Sequence, residues 1–160
     1  MPEMLYEQDF YGWTQEQARA LRARGEQGAN PPVDWANVAE EIESLGQSDR
    51  REVISRLRAI IRHLLKLQCS PAAEPRPGWK RTVTLQRIEI ADVLDASRSL
   101  RRELPALIGQ AAEGAIRLAA DDLAEYGETA AACHAKLLGV SHYTPEQLLD
   151  RDWFPLEPGE

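Results

Sequence analysis

"REVISRLRAIIRHLLKLQC", residues 51–69, decides the fold. Val53, Ile54, Leu57, Ile60, Ile61, Leu64 and Leu65 recur at three- and four-residue steps, the period of one helix face. No part of the chain alternates apolar and polar residues as a half-buried strand does. Working outward, Pro71, Pro75 and Pro77 close this helix in "SPAAEPRPG", and residues 70–78 are expected to form a mobile loop. Before it, Asp49 with Glu52 three residues on resembles a capping box that starts the helix afresh. Gly46 is expected to end or kink the preceding one.

That preceding helix starts at the cap Asp34 and carries Trp35, Val38, Ala39, Ile42 and Leu45 at helical spacing. Asp9 caps a still earlier helix, Phe10 to about Arg24, with Phe10, Trp13 and Leu21 near one face. A fourth helix is expected from about Trp79 to Ala96. Trp79, Val83, Ile90 and Leu94 share one face, while Leu85, Ile88 and Ala91 share another, so it is expected to be covered on two sides. "SRSLRREL" is expected to form a capped turn, with Pro105 as first residue of an alanine-rich helix ending near Gly127. A further helix spans about residues 128–138. In "HYTPEQLLDRDWFP", Thr144 is the N-cap, Pro145 the first helical residue and Gln147 the partner in a capping box. The expected fold class is all-α: a single domain over 1–160 with an ordered core of about 6–155, an antiparallel bundle of about six to seven helices.

The 160 residues suffice for one domain whose core needs no disulfide or metal. Cys69 and Cys133 lie far apart without a paired spacing. No secretory signal and no spanning stretch is apparent, so a cytoplasmic protein with no membrane association is expected. The net charge of −7 argues against a general nucleic-acid binder. Yet residues 50–102 hold 13 Lys and Arg against 5 Asp and Glu, a local +8, while the remainder, 6 against 21, is −15. A basic middle that pairs with acidic flanks within one fold or across a dimer explains this, and an exposed face for RNA is the alternative.

Several polar groups stand out on the apolar helices. On a wheel of ~100° per residue, Glu41 and Glu43 border the apolar face of their helix and Glu40 points away from it. From one helix these carboxylates cannot converge on a ligand. His63 stands ~130° from the centre of its stripe, toward solvent, a partner or a cleft. Arg58 and His63 have an Arg-x4-His spacing similar to that of HEPN ribonucleases, where such a pair supplies a phosphate-binding cation and an acid/base. Here Ala59 follows the arginine where a polar residue is usual, and the two side chains diverge by ~140°. Metal-ligand types occur at Glu41, Glu43, His63, Cys69, Cys133, His134 and His142, but no HExxH, ExxH or paired-cysteine spacing joins them. No cofactor is expected. Trp13, Trp35, Trp79 and Trp153 stand near the ends of elements, as packing staples or a partner surface.

Four stretches together carry a resemblance: "YEQDFYGWTQEQARALR", "DWANVAEEIESLGQSDRREVISRLRAIIRHLLKLQ", "GWKRTVTLQRIEIADVLDASRSLR" and "YTPEQLLDRDWFP". From about Tyr6 to Pro155 the chain resembles the bacterial domain-of-unknown-function family 29, of cyanobacteria and proteobacteria. The alanine-rich "AAEGAIRLAADDLAE" departs from that family's pattern by lacking an aromatic near Ala112. The resemblance implies a small helical cytoplasmic protein and no established activity. Asp9, Trp13, Glu40, Glu41, Glu43, His63, Lys66 and Trp79 match the family's pattern. The expected function is a non-catalytic interaction domain that binds a protein partner or a second copy. The alternatives are a nucleic-acid-directed enzyme using Arg58 and His63, and a metal site joining Glu41 or Glu43 to His63. Trp79 is a further candidate for binding.

Overall fold

The computed structural model describes residues 2–28, 33–125 and 143–158. Among these the chain is all-α, with six helices: α1 (Pro2–Gln8), α2 (Phe10–Glu26), α3 (Trp35–Cys69), α4 (Arg76–Ala96), α5 (Ser99–Glu125) and α6 (Pro145–Leu149). The contacts divide the chain into two compact units, residues 1–53 with 92–103, and residues 54–91 with 104–160. None of the described helices is long and apolar enough to cross a membrane. The helix expected over 128–138, with Cys133, His134 and His142, lies outside the described residues.

In the first unit one carboxylate organises two helix starts. Asp9 Oδ1 accepts from the Gly12 backbone N–H at 3.1 Å, capping α2 as its sequence position implied. The same oxygen accepts from the Ser99 N–H at 3.2 Å and the Ser99 hydroxyl at 2.8 Å. An isolated backbone bridge pairs Asp9 with Ser97. α5 therefore begins at Ser99, not at Pro105 as its sequence suggested. Pro105 sits inside the helix on its exposed side, where water can satisfy the carbonyl its missing N–H leaves unbonded.

The expected break at Gly46 is also corrected: α3 is one helix of 35 residues. Gly46 is buried, and a Cβ there would overlap the Thr14 hydroxyl, 3.1 Å from Thr14 Cβ and 3.3 Å from a Tyr11 ring carbon. The glycine admits α2 at close approach; it does not end the helix. Asp49, expected as a cap, instead accepts from the Ser97 hydroxyl at 2.9 Å, and Ser97 Oγ accepts from the Tyr11 N–H at 3.2 Å. α2 accordingly buries Tyr11, Thr14 and Ala18. Phe10 and Trp13, expected on the core face, form a half-exposed aromatic cluster with Tyr6.

In the second unit the stripe of α3 is the core. Leu57, Ile60, Leu64, Leu65 and Leu67 are fully buried. Val83 and Ile90 of α4 and Leu107, Ala111, Ala115, Ala119 and Leu123 of α5 are buried with them. The small alanines let a helix approach closely. α4 starts at Arg76, three residues before the expected position. Segment 70–75 is tied to it: the Arg76 guanidinium donates to the Leu67 carbonyl at 2.8 Å and the Ser70 carbonyl at 3.0 Å. Thr144, Pro145 and Gln147 start α6 with the full capping box read from the sequence.

Candidate functional site

The polar groups of the second unit gather on one turn of α3. Arg62 and Lys66 are four residues apart, so they share a side of the helix. Both meet Asp122 of α5. Arg62 Nε and Nη2 donate to its two oxygens at 2.7 and 2.6 Å, and Lys66 Nζ donates at 2.8 Å. Lys66 is almost fully buried, with its ammonium 4.9 Å from the centre of the Trp79 ring. Burial holds the Lys66 ammonium below the usual lysine pKa despite the hydrogen bond it donates to Asp122. Burial pulls the Asp122 carboxyl upward, but the hydrogen bonds from Arg62 and Lys66 outweigh it and leave the pKa depressed.

His63 lies beside this cluster and not in it. Its Nδ1 donates back to the Ala59 carbonyl at 2.8 Å. Burial holds the imidazole below the usual histidine value, more than the carbonyl raises it, so at neutral pH the ring is uncharged. Arg58 faces elsewhere. A Cβ on Gly114 of α5 would come within 3.0 Å of Arg58 Nε, and that nitrogen is buried without a hydrogen-bond partner among the described residues. Arg58 and His63 thus occupy separate surroundings, as the ~140° between them on the wheel implied.

The first unit holds the carboxylate candidates. Glu43 is bonded to Arg22 of α2, while Glu40 and Glu41 are exposed. They stand twenty or more positions before His63 on α3, and each group has its own environment. No three His, Cys, Asp or Glu side chains among the described residues are placed to hold a metal ion. A cleft of about 470 Å³ opens between Arg22, Gly25 and Glu26 of α2 and Val33, Asp34, Trp35 and Ala36 at the start of α3. Gly25 lets Trp35 approach α2 closely there: a Cβ on it would come within 3.1 Å of Trp35 Cβ.

Trp79, a binding candidate by sequence, is 6% exposed and serves as the floor for Lys66. Two partners escaped the sequence reading. Asp122 sits in an alanine-rich helix with nothing around it to mark it. Arg87 did carry a signal, because Val83, Arg87, Ile90 and Leu94 continue one helical stripe. It is 1% exposed, and its guanidinium donates to the carbonyls of Gln147, Leu148 and Trp153 at 2.8 to 2.9 Å. The Phe154 ring lies 5.2 Å from it. It clamps the segment after residue 143.

Of the charged groups that suggested chemistry, Glu43 and His63 are engaged within the fold, while several large apolar side chains remain in water. Val38 and Leu45 of α3 and Leu85 and Ile88 of α4 are 40 to 55% exposed. The second cover expected over Leu85 and Ile88 is absent among the described residues. The family model for DUF29, a domain of unknown function, matches residues 5–154. No curated protein and no solved structure matches the chain.

Proposed function

For a chain that belongs to the DUF29 family, whose description assigns no activity, we propose a protein-interaction domain with no catalysis of its own. One observation carries this reading: Leu85 is more than half exposed on a helix whose opposite side is buried, and Leu45 of α3 is more than half exposed as well. A helix face of that kind is stabilised by covering it with another chain. The groups that would do chemistry support the same reading by their engagements. Asp122 consumes Arg62 and Lys66, Arg22 consumes Glu43, and three carbonyls consume Arg87. Cys69, buried and in no disulfide among the described residues, suits a reducing compartment, the cytoplasm.

The test is the native mass of the tagged full chain isolated gently from the cells that make it. The reading expects a stoichiometric complex with a further polypeptide, another copy or a different chain. Leu45→Glu or Leu85→Glu releases that polypeptide while helicity is kept. A single-chain mass, or a complex indifferent to both substitutions, contradicts the reading.

A further inference from the structure

α4 has two opposite sides. Arg76, Trp79, Val83, Arg87, Ile90 and Leu94 are buried. Across the helix from them stand Arg81, Leu85, Ile88 and Asp92, all exposed. Their spacing of four, three and four residues is the seam of a coiled coil. The strip is basic at one end, acidic at the other and apolar between. Reversed end for end it is its own complement. A two-fold axis passing between residues 86 and 87 sets Leu85 against Ile88 of a second copy and Arg81 against Asp92, each pair occurring twice. A parallel arrangement would instead place Arg81 on Arg81 and Asp92 on Asp92.

We infer that this face of α4 is the contact of an antiparallel, two-fold homodimer. The inference rests on the interaction reading above and names the partner as a second copy of this chain. Neither Arg81 nor Asp92 has an ion-pair partner among the described residues, so both charges are available. The flanking positions raise no objection. The Thr82 and Thr84 hydroxyls donate to carbonyls of their own helix, at Gly78 and Lys80, 3.1 and 3.0 Å away. Open space lies over the Cα of Gly78, which faces Asp95 of the second copy. The seam from Arg81 to Asp92 is only ~17 Å long by helical rise. The dimer is therefore small and concentration-dependent, with affinity in the micromolar range.

Sedimentation equilibrium of the purified full chain, from about 1 to about 300 µM, tests it. Arg81→Asp alone and Asp92→Arg alone each put like charges in both end layers. Each raises the dissociation constant roughly tenfold. An equimolar mixture of the two variants makes a heterodimer with both layers complementary again, and it returns to the affinity of the parent. Leu85→Glu abolishes association with helicity unchanged. A parent chain that stays monomeric overturns the homodimer, as does a dimer indifferent to these substitutions or a mixture no tighter than its components. If the complex isolated from cells then holds a different polypeptide, the interaction reading survives the loss of the homodimer. If that complex is also absent, both fail.

Discussion

Replacing Asp122 by alanine removes the acceptor of three charge-assisted hydrogen bonds at once. The three groups are not equally buried: the side chain of Lys66 is 6% exposed, that of Asp122 20% and that of Arg62 33%. Arg62 can turn into water, so its loss costs about as much as that of a surface pair, under ~1 kcal/mol. Lys66 cannot, and it is left as an unpaired cation against Trp79. Breaking a fully buried pair costs ~3–5 kcal/mol. An ordinary lysine could instead release its proton at pH 7 for at most ~4.6 kcal/mol. Burial already favours the neutral amine here, which lowers that ceiling. Asp122→Ala should then destabilise the fold by about 2–3 kcal/mol, a drop of ~1–1.5 M in the urea midpoint read by circular dichroism. Adding Lys66→Met replaces the orphaned cation by an apolar chain of similar length, which suits a sulfur over an aromatic ring. The double variant should recover most of the loss. A single variant within ~0.2 M of the parent, or no recovery in the double, would refute the view that Asp122 exists to neutralise Lys66.

Three other outcomes follow from the packing. His63 has a folded pKa below its usual value. The unfolded chain thus takes up the proton first, and this contribution to stability is whole above about pH 6.5 and lost as pH falls below it. His63→Gln should flatten the fall in melting temperature between pH 7 and 5; an unchanged slope would place the titrating group elsewhere. Gly46→Ala gains ~1 kcal/mol of helix propensity but loses more to overlap with buried Thr14, a net destabilisation of about 1–3 kcal/mol by urea titration. Thr14→Ala in the same chain relieves only part of it, since the Thr14 Cβ contact remains. Arg87→Met leaves three carbonyls without their donor, so amide hydrogen exchange over residues 143–155 should quicken while the α3 stripe stays protected.

What the sequence made legible were features whose cause is local. The apolar stripe of Val53 to Leu65, the caps at Asp9 and Asp34, and the Thr144–Gln147 box all act within one turn of where they are read. Gly46 misled because low helix propensity is a local signal, whereas its role is set by Thr14, thirty-two residues away. Pro105 misled for a similar reason. α5 begins six residues earlier because Asp9, ninety residues distant, supplies the acceptor its first N–H needs. In the candidate site, His63 was visible as a polar group on an apolar helix, and Lys66 only as a position that matches the family's pattern. The partner that gives Lys66 its meaning, Asp122, lies 56 residues on, and only the fold brings it there. The second apolar face of α4 was legible at Leu85 and Ile88. That those residues stay in water could be learned only from the structure.

The central claim is that the polar groups around His63 serve the fold and the exposed face of α4 serves association. One measurement separates the two: melting temperature as a function of protein concentration, because dimerisation makes it concentration-dependent and monomer stability does not. The parent chain should gain about 3 °C over a hundredfold rise in concentration. Leu85→Glu should keep the dilute melting temperature and lose the rise, whereas Asp122→Ala should melt lower at every concentration and keep it. A parent chain whose melting temperature ignores concentration would contradict the account. So would a Leu85→Glu chain that melts as low as Asp122→Ala and still gains with concentration.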